Sequence, residues 1–524
     1  MDRLTRDGHV VPADQAMPGG ITTRRMVEVE RAIVAAVAAG RGAARPILSQ
    51  AAAERALQAA STSDTLNAGQ RAAVVGLLTS ADRIRAVPGF AGVGKTFAFA
   101  TVAEIATRSG QRLHGLSSVN THVQQLRDGA GIPAQSIASW LQTVETGLAA
   151  GPEGVHRTRE RWRGVHLIVD EASTLTNESA YRVLRAVEGL GIASVTIAGD
   201  RRQTGGPGAG NVFKAVLDRG IAQFPLTEIL RQARAEPALR EGVRDLAEGR
   251  LRDGMAKLAP HVHAVGREAT DVQVAQRAVE LWSARRAAGL ETVLITATNR
   301  MRALQSVLAR DVLRQEGVLR GEDEARLRLA PKHLTRPEHF AASSYALGDI
   351  IVPDTAFAGR GPSDAERRTV IGIDLANNVL NVQAGRRPAR LIDLNREHAK
   401  GRPGFSVYST GSHAVAEGER LTWEARFRDR GYERGAEFTV LRKTASTWTI
   451  RNADGRVEQV SAKDPALNFT SHAYAMTTER AQGRTIAAPV ATMTASEGQA
   501  VAETKTYVNW SRLTLAADLV TDDA

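Results

Sequence analysis

The feature that most constrains the fold of this chain is the octapeptide GFAGVGKT at residues 89–96. It follows the short apolar run RIRAV at 83–87 and precedes the helix-prone stretch FAFATVAEIATRSG. Three glycines in eight residues allow backbone N–H groups to curl around an anion at the start of a helix. The order strand, glycine-rich loop, helix is the context that a phosphate loop requires. The sequence therefore predicts an α/β fold with a parallel sheet around this loop.

A phosphate loop implies a bound nucleotide. We predict that ATP is held by Gly89, Phe90, Ala91, Gly92, Val93, Gly94, Lys95 and Thr96. Lys95 is expected to reach the β- and γ-phosphates, and the Thr96 hydroxyl is expected to coordinate Mg²⁺. ATP and Mg²⁺ are the predicted cofactors.

Another apolar run, HLIV at 166–169, ends in Asp170 and Glu171. Asp170 is expected to bind Mg²⁺ through the metal's water shell, and Glu171 to act as the general base for the water that attacks the γ-phosphate. A strand that ends in two acids is also a common structural feature. Its position after the phosphate loop favours the hydrolytic interpretation.

The remaining apolar runs outline the organisation of the chain. SVTIA at 194–198 and VLITA at 293–297 alternate with amphipathic stretches, as buried parallel strands and crossover helices do. A chain of 524 residues exceeds one hydrophobic core, so we predict two α/β units, one on each side of Leu226. The first sixty residues read as helical, with Thr22 or Thr23 as N-cap, and residues 345–465 read as a small β domain.

Composition indicates the class of partner. Lys and Arg number 68 against 57 Asp and Glu, a net charge of +11, which favours a polyanion such as nucleic acid, although a solvated basic surface has the same composition. The chain has no cysteine, which excludes disulfides and cysteine-held metals. No apolar run approaches the roughly 20 residues of a membrane span, and the N-terminus lacks the layout of a signal peptide. We therefore predict a cytoplasmic protein without a membrane segment.

Together these motifs resemble those of the superfamily 1 helicases of the RecD-like branch, most closely the helicase domain of F-plasmid-type conjugative relaxases. The resemblance runs in the family's order from Leu66 to Asp523. It implies that Gln70 in LNAGQ reads adenine and that Gln203 in GDRRQ senses the γ-phosphate. It also implies that Arg231 in LTEILRQ and Arg512 in YVNWSR contact the γ-phosphate, and that Gly483 in TTERAQGRT belongs to the nucleotide site.

The resemblance implies a more detailed architecture. We expect an N-terminal helical segment at 1–60 and a first RecA-like motor domain at 61–225. A second RecA-like motor domain is expected at 226–345 and 466–524, interrupted at 346–465 by an inserted small β-barrel of SH3-like type. The nicking domain of the relaxases is expected to be absent.

The implied function is that of an ATP-dependent DNA helicase or translocase, moving 5′ to 3′ on single-stranded DNA. Its expected partners are single-stranded DNA, duplex junctions, and a relaxase or other conjugation proteins. The candidate DNA-binding residues are Ser117, Ser118, Trp140, Thr298, Asn299, Arg302 and Thr477. Trp140 suits core packing as well as base stacking, and residues 151–164 suit either a strand-splitting pin or a surface loop.

Two other functions compete with this interpretation. Strand nicking needs a tyrosine nucleophile and a histidine-held metal, but no tyrosine precedes Tyr181, and we read His261 and His263 as structural. The second alternative is a catalytically weak or inactive module of a split relaxase that only binds single-stranded DNA. His122 stands where the family has a small residue and Glu479 where it has a histidine, which together with the atypical segment SRLTLAAD keeps this alternative open.

Overall fold

The computed structural model describes residues 10–12, 21–202, 212–332, 334–355, 366–399, 404–495 and 499–523. Its backbone divides into two compact units. The first unit comprises Met1–Thr270, Arg285–Ala297 and Thr477–Ala524, and the second comprises Asp271–Ala284 and Thr298–Met476. The expected division into two motor domains with an insertion stays a prediction.

The first unit contains a six-stranded parallel sheet. After a short antiparallel pair, β1 (Val10–Pro12) and β2 (Ile21–Thr23), its strands are β3 (Ile84–Pro88), β4 (Arg112–Ser117), β5 (Ala134–Ser136), β6 (Val165–Asp170), β7 (Ser194–Gly199) and β8 (Ala222–Gln223). Their spatial order is β5-β4-β6-β7-β3-β8. Every residue of β6 and β7 is buried, because helices cover both faces of a parallel sheet. This confirms the predicted α/β fold class.

The register of this sheet brings distant parts of the sequence to one edge. Pro88 of β3 pairs with Gly199 of β7, and Ser117 of β4 pairs with Asp170 of β6. These residues end their strands, so the phosphate loop, the two acids and the segment after Ser117 all leave the sheet at its carboxyl edge. Ligands of open α/β sheets bind at this edge.

A second set of parallel strands lies in the same unit. Its members are β9 (Val262–Ala264), β10 (Leu294–Thr296), β23 (Val490–Met493) and β24 (Asp518–Thr521), in the order β10-β23-β24-β9. Asp518 on β24 accepts hydrogen bonds from Arg285 and His263. His263 is therefore bound to a carboxylate, as is His261, whose Nε2 lies 2.7 Å from Glu236 Oε1.

The α-helices are distributed over both units. They span Arg24–Ala39, Gln50–Gln58, Ala68–Thr79, Lys95–Arg108, Asn120–Gln124, Ile137–Ala149, Gly151–Trp162, Asn177–Leu190, Val212–Asp218, Pro237–Glu248, Leu251–Leu258, Asp271–Ala287, Asn299–Gln315, Arg336–His339, Leu394–Ala399, Thr478–Ala481 and Gln499–Trp510. Among the residues that the structure describes, no helix is both long enough and apolar enough to cross a bilayer.

Local rules account for the helices near the N-terminus. The helix Arg24–Ala39 begins where Thr23 Oγ1 accepts a hydrogen bond from Met26 N at 3.2 Å, so Thr23 is the N-cap. The helix buries Val29 and Ile33 in the core of the parallel sheet. In the segment 151–164, predicted as a pin or a surface loop, Gly151–Trp162 form a helix that follows Ile137–Ala149 directly.

The second unit is built around two antiparallel sheets. The six-stranded sheet has the order β11-β16-β12-β13-β14-β15 and the five-stranded sheet the order β20-β19-β18-β17-β21. The strands are β11 (Arg320–Pro331), β12 (Ile350–Pro353), β13 (Arg368–Asp374), β14 (Val379–Gln383), β15 (Arg390–Asp393), β16 (Phe405–Glu417), β17 (Arg420–Trp423), β18 (Glu437–Lys443), β19 (Thr447–Asn452), β20 (Val457–Ser461) and β21 (Thr470–His472), and a further short strand, β22, spans Ala475–Thr477. These sheets run from Arg320 to His472, wider than the predicted 346–465, while the SH3-like barrel stays a prediction.

Candidate functional site

The phosphate loop links β3 to the helix Lys95–Arg108. Gly92 and Gly94 adopt φ values of +80° and +77°, which favour glycine. A Cβ on Gly92 would lie 2.4 Å from Arg231 Cβ, and a Cβ on Gly94 would lie 2.5 Å from Gln70 Nε2. Both glycines are thus required by conformation and by space. Lys95 Nζ donates hydrogen bonds to Gly89 O at 2.9 Å and Phe90 O at 3.1 Å, so the lysine folds over the loop.

Gln70 braces this loop from the preceding helix. Its Oε1 accepts from Asn67 N and its N donates to Asn67 Oδ1, a capping box that starts the helix Ala68–Thr79. Its Nε2 donates to Val93 O at 3.0 Å, and the side chain is buried. The structure therefore gives Gln70 a bracing role, while adenine reading stays a prediction.

The two predicted acids stand at the end of β6, and both are buried. Asp170 Oδ1 accepts a hydrogen bond from Glu171 N at 2.9 Å. Glu171 has φ +53°, a left-handed conformation that costs free energy for residues other than glycine and is typical of functional sites. His122 reaches both acids: its Nδ1 lies 3.3 Å from Asp170 Oδ2 and its Nε2 lies 3.4 Å from Glu171 Oε1.

The electrostatics of this acid cluster follow from its contacts. Burial raises the pKa of Asp170, but the hydrogen bond with His122 and the charge of Lys95 outweigh burial and hold that pKa below its usual range. Burial lowers the pKa of His122, but Asp170 and Glu171 outweigh burial and raise it. The three groups form one coupled cluster beside the phosphate loop.

The two predicted arginines lie together in the first unit. Arg231 donates to Ser511 O at 2.9 Å, and Arg512 donates to Ser511 Oγ at 2.8 Å and Val508 O at 3.1 Å. Among the described residues, no carboxylate forms an ion pair with either guanidinium. Burial and the charge of Arg512 lower the pKa of Arg231 to about 9, and burial lowers the pKa of Arg512. A buried arginine and a half-buried one whose hydrogen bonds go only to neutral oxygens favour an anionic ligand.

A tyrosine connects the helix Gln499–Trp510, which Arg512 follows, to the phosphate loop. Tyr507 OH donates to Asp200 Oδ2 at 2.7 Å and accepts from Ala91 N at 3.1 Å. Ala91 N also donates to Asp200 Oδ2 at 3.0 Å, which closes a three-membered network. Because Tyr507 precedes Arg512 on the same segment, this network links the segment that carries the arginine to the loop.

The phosphate loop, the acid cluster and the two arginines line one cavity of about 920 Å³, a volume in the range of ligand sites. Its lining includes Lys95, Thr96, Asp170, Glu171, Arg231 and Arg512. Gly483, predicted for the nucleotide site, lines the same cavity. The structure thus brings together candidates that are more than 400 positions apart in the sequence.

The donors in this cavity fit Mg²⁺ bound together with a nucleotide. The Thr96 hydroxyl and the Asp170 carboxylate are hard oxygen donors of the kind that Mg²⁺ prefers. Within the described ranges, no group of three or more His, Cys, Asp or Glu side chains is arranged to hold a metal. Mg²⁺ in nucleotide sites takes its other ligands from phosphate and water, so two protein donors suffice.

Comparison with known proteins agrees with this geometry. A family model described as an AAA domain matches residues 65–267. The chain is 24% identical over 513 residues to the multifunctional conjugation protein TraI of Escherichia coli K12, covering 89% of this chain and 27% of that protein. It is 26% identical over 250 residues to the conjugal transfer protein TraA of Agrobacterium fabrum, covering 48% of this chain and 21% of TraA. The chain is therefore similar in sequence to TraI over most of its own length.

This relationship confirms the resemblance predicted from the motifs. The chain spans about a quarter of the length of the curated relatives it matches. Among solved structures, a complex of two Pif1 helicases at forked double-stranded DNA aligns with a TM-score of 0.44 and 14% identity, over 86% of this chain and 92% of that chain. Pif1 helicase from Candida albicans aligns with a TM-score of 0.42 and 13% identity, over 86% of this chain and 94% of that chain.

The predicted DNA contacts of the first unit differ in exposure. Ser118 is exposed after β4, whereas Ser117 is buried. Trp140 is 0% exposed and packs edge-on against Trp162 with ring centroids 5.6 Å apart. No face of its ring is open to a base, which corrects the assignment of Trp140 as a DNA contact. Its apolar helix buries it in the core instead.

The other predicted contacts lie at helix starts. Thr298 caps the helix Asn299–Gln315 by accepting from Met301 N at 3.2 Å, and Asn299 Oδ1 accepts from Arg302 Nε at 3.2 Å. In the first unit, Thr477 caps the helix Thr478–Ala481. Helix N-termini suit phosphate groups, so these positions agree with the prediction without testing it. Gln203 lies outside the described residues.

Two residues at the site were not predicted from the sequence. Tyr507 belongs to the same YVNWSR segment as Arg512, and only the fold shows that its hydroxyl reaches Asp200. His122 was noted as atypical for the family, and its proximity to the acids depends on the pairing of β4 with β6. A buried polar residue at an unusual position was the one signal available for His122.

Proposed function

We propose that this chain is an ATP-dependent DNA helicase or translocase of the conjugative type, moving 5′ to 3′ along single-stranded DNA. The observation that carries the proposal is the single cavity in which the phosphate loop, two buried acids and two unpaired arginines converge. A loop alone would indicate only nucleotide binding. Acids and arginines around the same cavity are the groups that phosphoryl transfer to water requires.

Each group has a task in this proposal. The N–H groups of the loop and Lys95 bind the phosphates, and Thr96 with Asp170 would hold Mg²⁺, which neutralises phosphate charge when bound. Glu171 Oε2 is buried without a hydrogen-bond partner among the described residues, which suits a base that accepts a proton from water. Arg231 and Arg512 stabilise the charge that develops on the γ-phosphate.

The coupling to movement follows from where the arginines are held. Arg512 follows the helix Gln499–Trp510, and Tyr507 on that helix bonds to the loop, so Arg512 and the loop are mechanically connected. Loss of the γ-phosphate removes the anion between them, and the segment is then free to shift. The relatedness to TraI and TraA, a conjugation protein and a conjugal transfer protein, supports DNA as the track. The net charge of +11 agrees with a polyanionic partner.

The test compares wild type with Lys95→Ala in two assays: ATPase with and without single-stranded DNA, and unwinding of duplexes with a 5′ or a 3′ tail. Lys214→Ala, on an exposed lysine paired with Asp218, is the matched control. We expect stimulation by DNA, unwinding of the 5′-tailed duplex only, and loss of both activities in Lys95→Ala alone. A wild type that binds DNA but neither hydrolyses ATP nor unwinds would support the inactive-module alternative instead.

A further inference from the structure

His122 contacts both acids, yet the proposed function gives it no task. The side chain is 6% exposed, and its Nδ1 lies 3.3 Å from Asp170 Oδ2. Its Nε2 lies 3.4 Å from Glu171 Oε1. A rigid, buried ring that reaches two neighbouring carboxylates restricts the directions in which both can point.

Unpartnered atoms indicate what this arrangement is for. His122 Nε2 and Glu171 Oε2 are buried and have no hydrogen-bond partner among the described residues. Buried polar atoms are normally hydrogen-bonded, so adjacent exceptions at a cavity wall indicate a place for a small polar molecule. In hydrolysis that molecule is the attacking water, which must lie within hydrogen-bond reach of the base.

The chain around His122 connects this place to two predicted DNA-contacting segments. His122 lies on the helix Asn120–Gln124, which starts two residues after Ser118. Gln125, the residue that follows this helix, donates through Nε2 to Gly483 O at 3.1 Å. A Cβ on Gly483 would lie 2.1 Å from His122 Nε2, so the ring is also pressed against this turn. If either segment shifts, His122 shifts with it, and the positions of the two carboxylates change.

We propose that His122 is a positioning residue for ATP hydrolysis, holding the Asp170 and Glu171 carboxylates in the hydrolytic arrangement and making that arrangement depend on the segments after Ser118 and before Gly483. This inference rests on the proposed function. It gives a task in DNA-stimulated hydrolysis to a side chain that acts through the two carboxylates it contacts.

The test uses substitutions that separate packing from hydrogen bonding. His122→Leu fills similar space without a polar atom, and His122→Asn places an amide N–H near the position of Nδ1. His156→Leu changes an exposed histidine and serves as the control. For each variant the ATPase kcat and KM are measured with and without an oligo-dT strand, together with Tm and the affinity for a fluorescent ADP analogue.

We expect His122→Leu to lower the DNA-stimulated kcat by about 10²-fold, the effect of misplacing a reacting group by about 1 Å. The ratio of rates with and without DNA should fall towards one, while the affinity for the ADP analogue stays near that of wild type. His122→Asn should recover at least about tenfold of the loss, because the hydrogen bond to Asp170 is restored. His156→Leu should match wild type.

The outcomes separate this inference from the proposed function. A wild-type ATPase that ignores DNA contradicts the proposed function itself. A DNA-stimulated wild type with His122→Leu at wild-type kcat, or with His122→Asn no better than His122→Leu, overturns the role of His122. If Tm shows that His122→Leu is unfolded, His122→Ala replaces it in the same comparison with the same expected loss.

Discussion

The two sides of the proposed nucleotide cavity differ in how their charged side chains are paired. On the acid side, formed by Asp170, Glu171 and His122, the carboxylates are met by an imidazole and a backbone N–H. On the arginine side, formed by Arg231, Arg512 and Tyr507, the guanidiniums donate to carbonyl and hydroxyl oxygens of Val508 and Ser511. The protein thus provides charge-complementary partners for its acids, and neutral partners for its arginines.

This difference indicates when each side acts. A buried cation that forms no ion pair is costly, so Arg512 beside Arg231 is favourable where a ligand completes the site. The acid side is already organised by its own contacts. We infer that the acid side prepares the site in advance, whereas the arginine side contributes its stabilisation only when phosphate is present.

The largest effect is expected on the arginine side. Arg512→Met keeps the length of the side chain and removes the charge, and should lower the ATPase kcat by about 10³-fold, as loss of an arginine that stabilises the transferred phosphoryl group does. Steady-state ATPase with single-stranded DNA measures this loss. Arg182→Met, on an exposed arginine paired with Glu145, is the control. A loss of less than tenfold in Arg512→Met would contradict a transition-state role.

A smaller effect is expected on the acid side. Glu171→Gln retains the shape of the side chain and removes the base, and should lower kcat by about 10²-fold, within the range for a positioned general base. Binding of the fluorescent ADP analogue should persist, because the phosphate loop is unchanged. If Glu171→Gln lowers kcat more than Arg512→Met does, the expected order of the two sides is reversed.

These two sides also show what a sequence can predict. Strands such as β6 and β7 were identified because burial on both faces leaves a continuous apolar run. Lys95 and Asp170 were identified because their motifs are local. The proximity of His122 to Asp170 could not be read from the sequence, since it depends on strand register.

Elsewhere the same limits produced errors. Trp140 suited both a core and a stacking position, and only its burial decides between them. The strand Arg320–Pro331 was missed because half of its residues are charged and only one is buried, so it lacks the apolar signal that marks β3 or β6. Burial, rather than β-propensity, was the property that the sequence revealed.

A third prediction concerns the contact between the arginine side and the phosphate loop. Tyr507→Phe removes a hydroxyl that donates to Asp200 and accepts from Ala91 N, and should lower stability by about 1 kcal/mol, the usual net value of a buried hydrogen bond. Thermal melting and nucleotide titration measure the two consequences. Tyr345→Phe removes a hydroxyl that donates to His339 O in the second unit. Both variants should melt earlier, but only Tyr507→Phe should weaken nucleotide binding, because only Tyr507 touches the loop.

The smallest expected effect is the change in Tm of Arg512→Met without nucleotide, and its contrast with Asp170→Leu distinguishes the two sides most clearly. Without nucleotide, Arg512→Met should melt at or slightly above the temperature of wild type, since replacing a buried cation that forms no ion pair by an apolar side chain is neutral or stabilising. Asp170→Leu should melt lower, because it leaves Glu171 N and His122 Nδ1 without an acceptor, a cost of about 2 kcal/mol. Adding Mg²⁺ and a non-hydrolysable ATP analogue should then raise Tm more in wild type than in Arg512→Met, because the phosphate supplies the missing anion. If Arg512→Met melts as far below wild type as Asp170→Leu does, the arginine side is compensated by the protein itself, and the inferred division of labour is wrong.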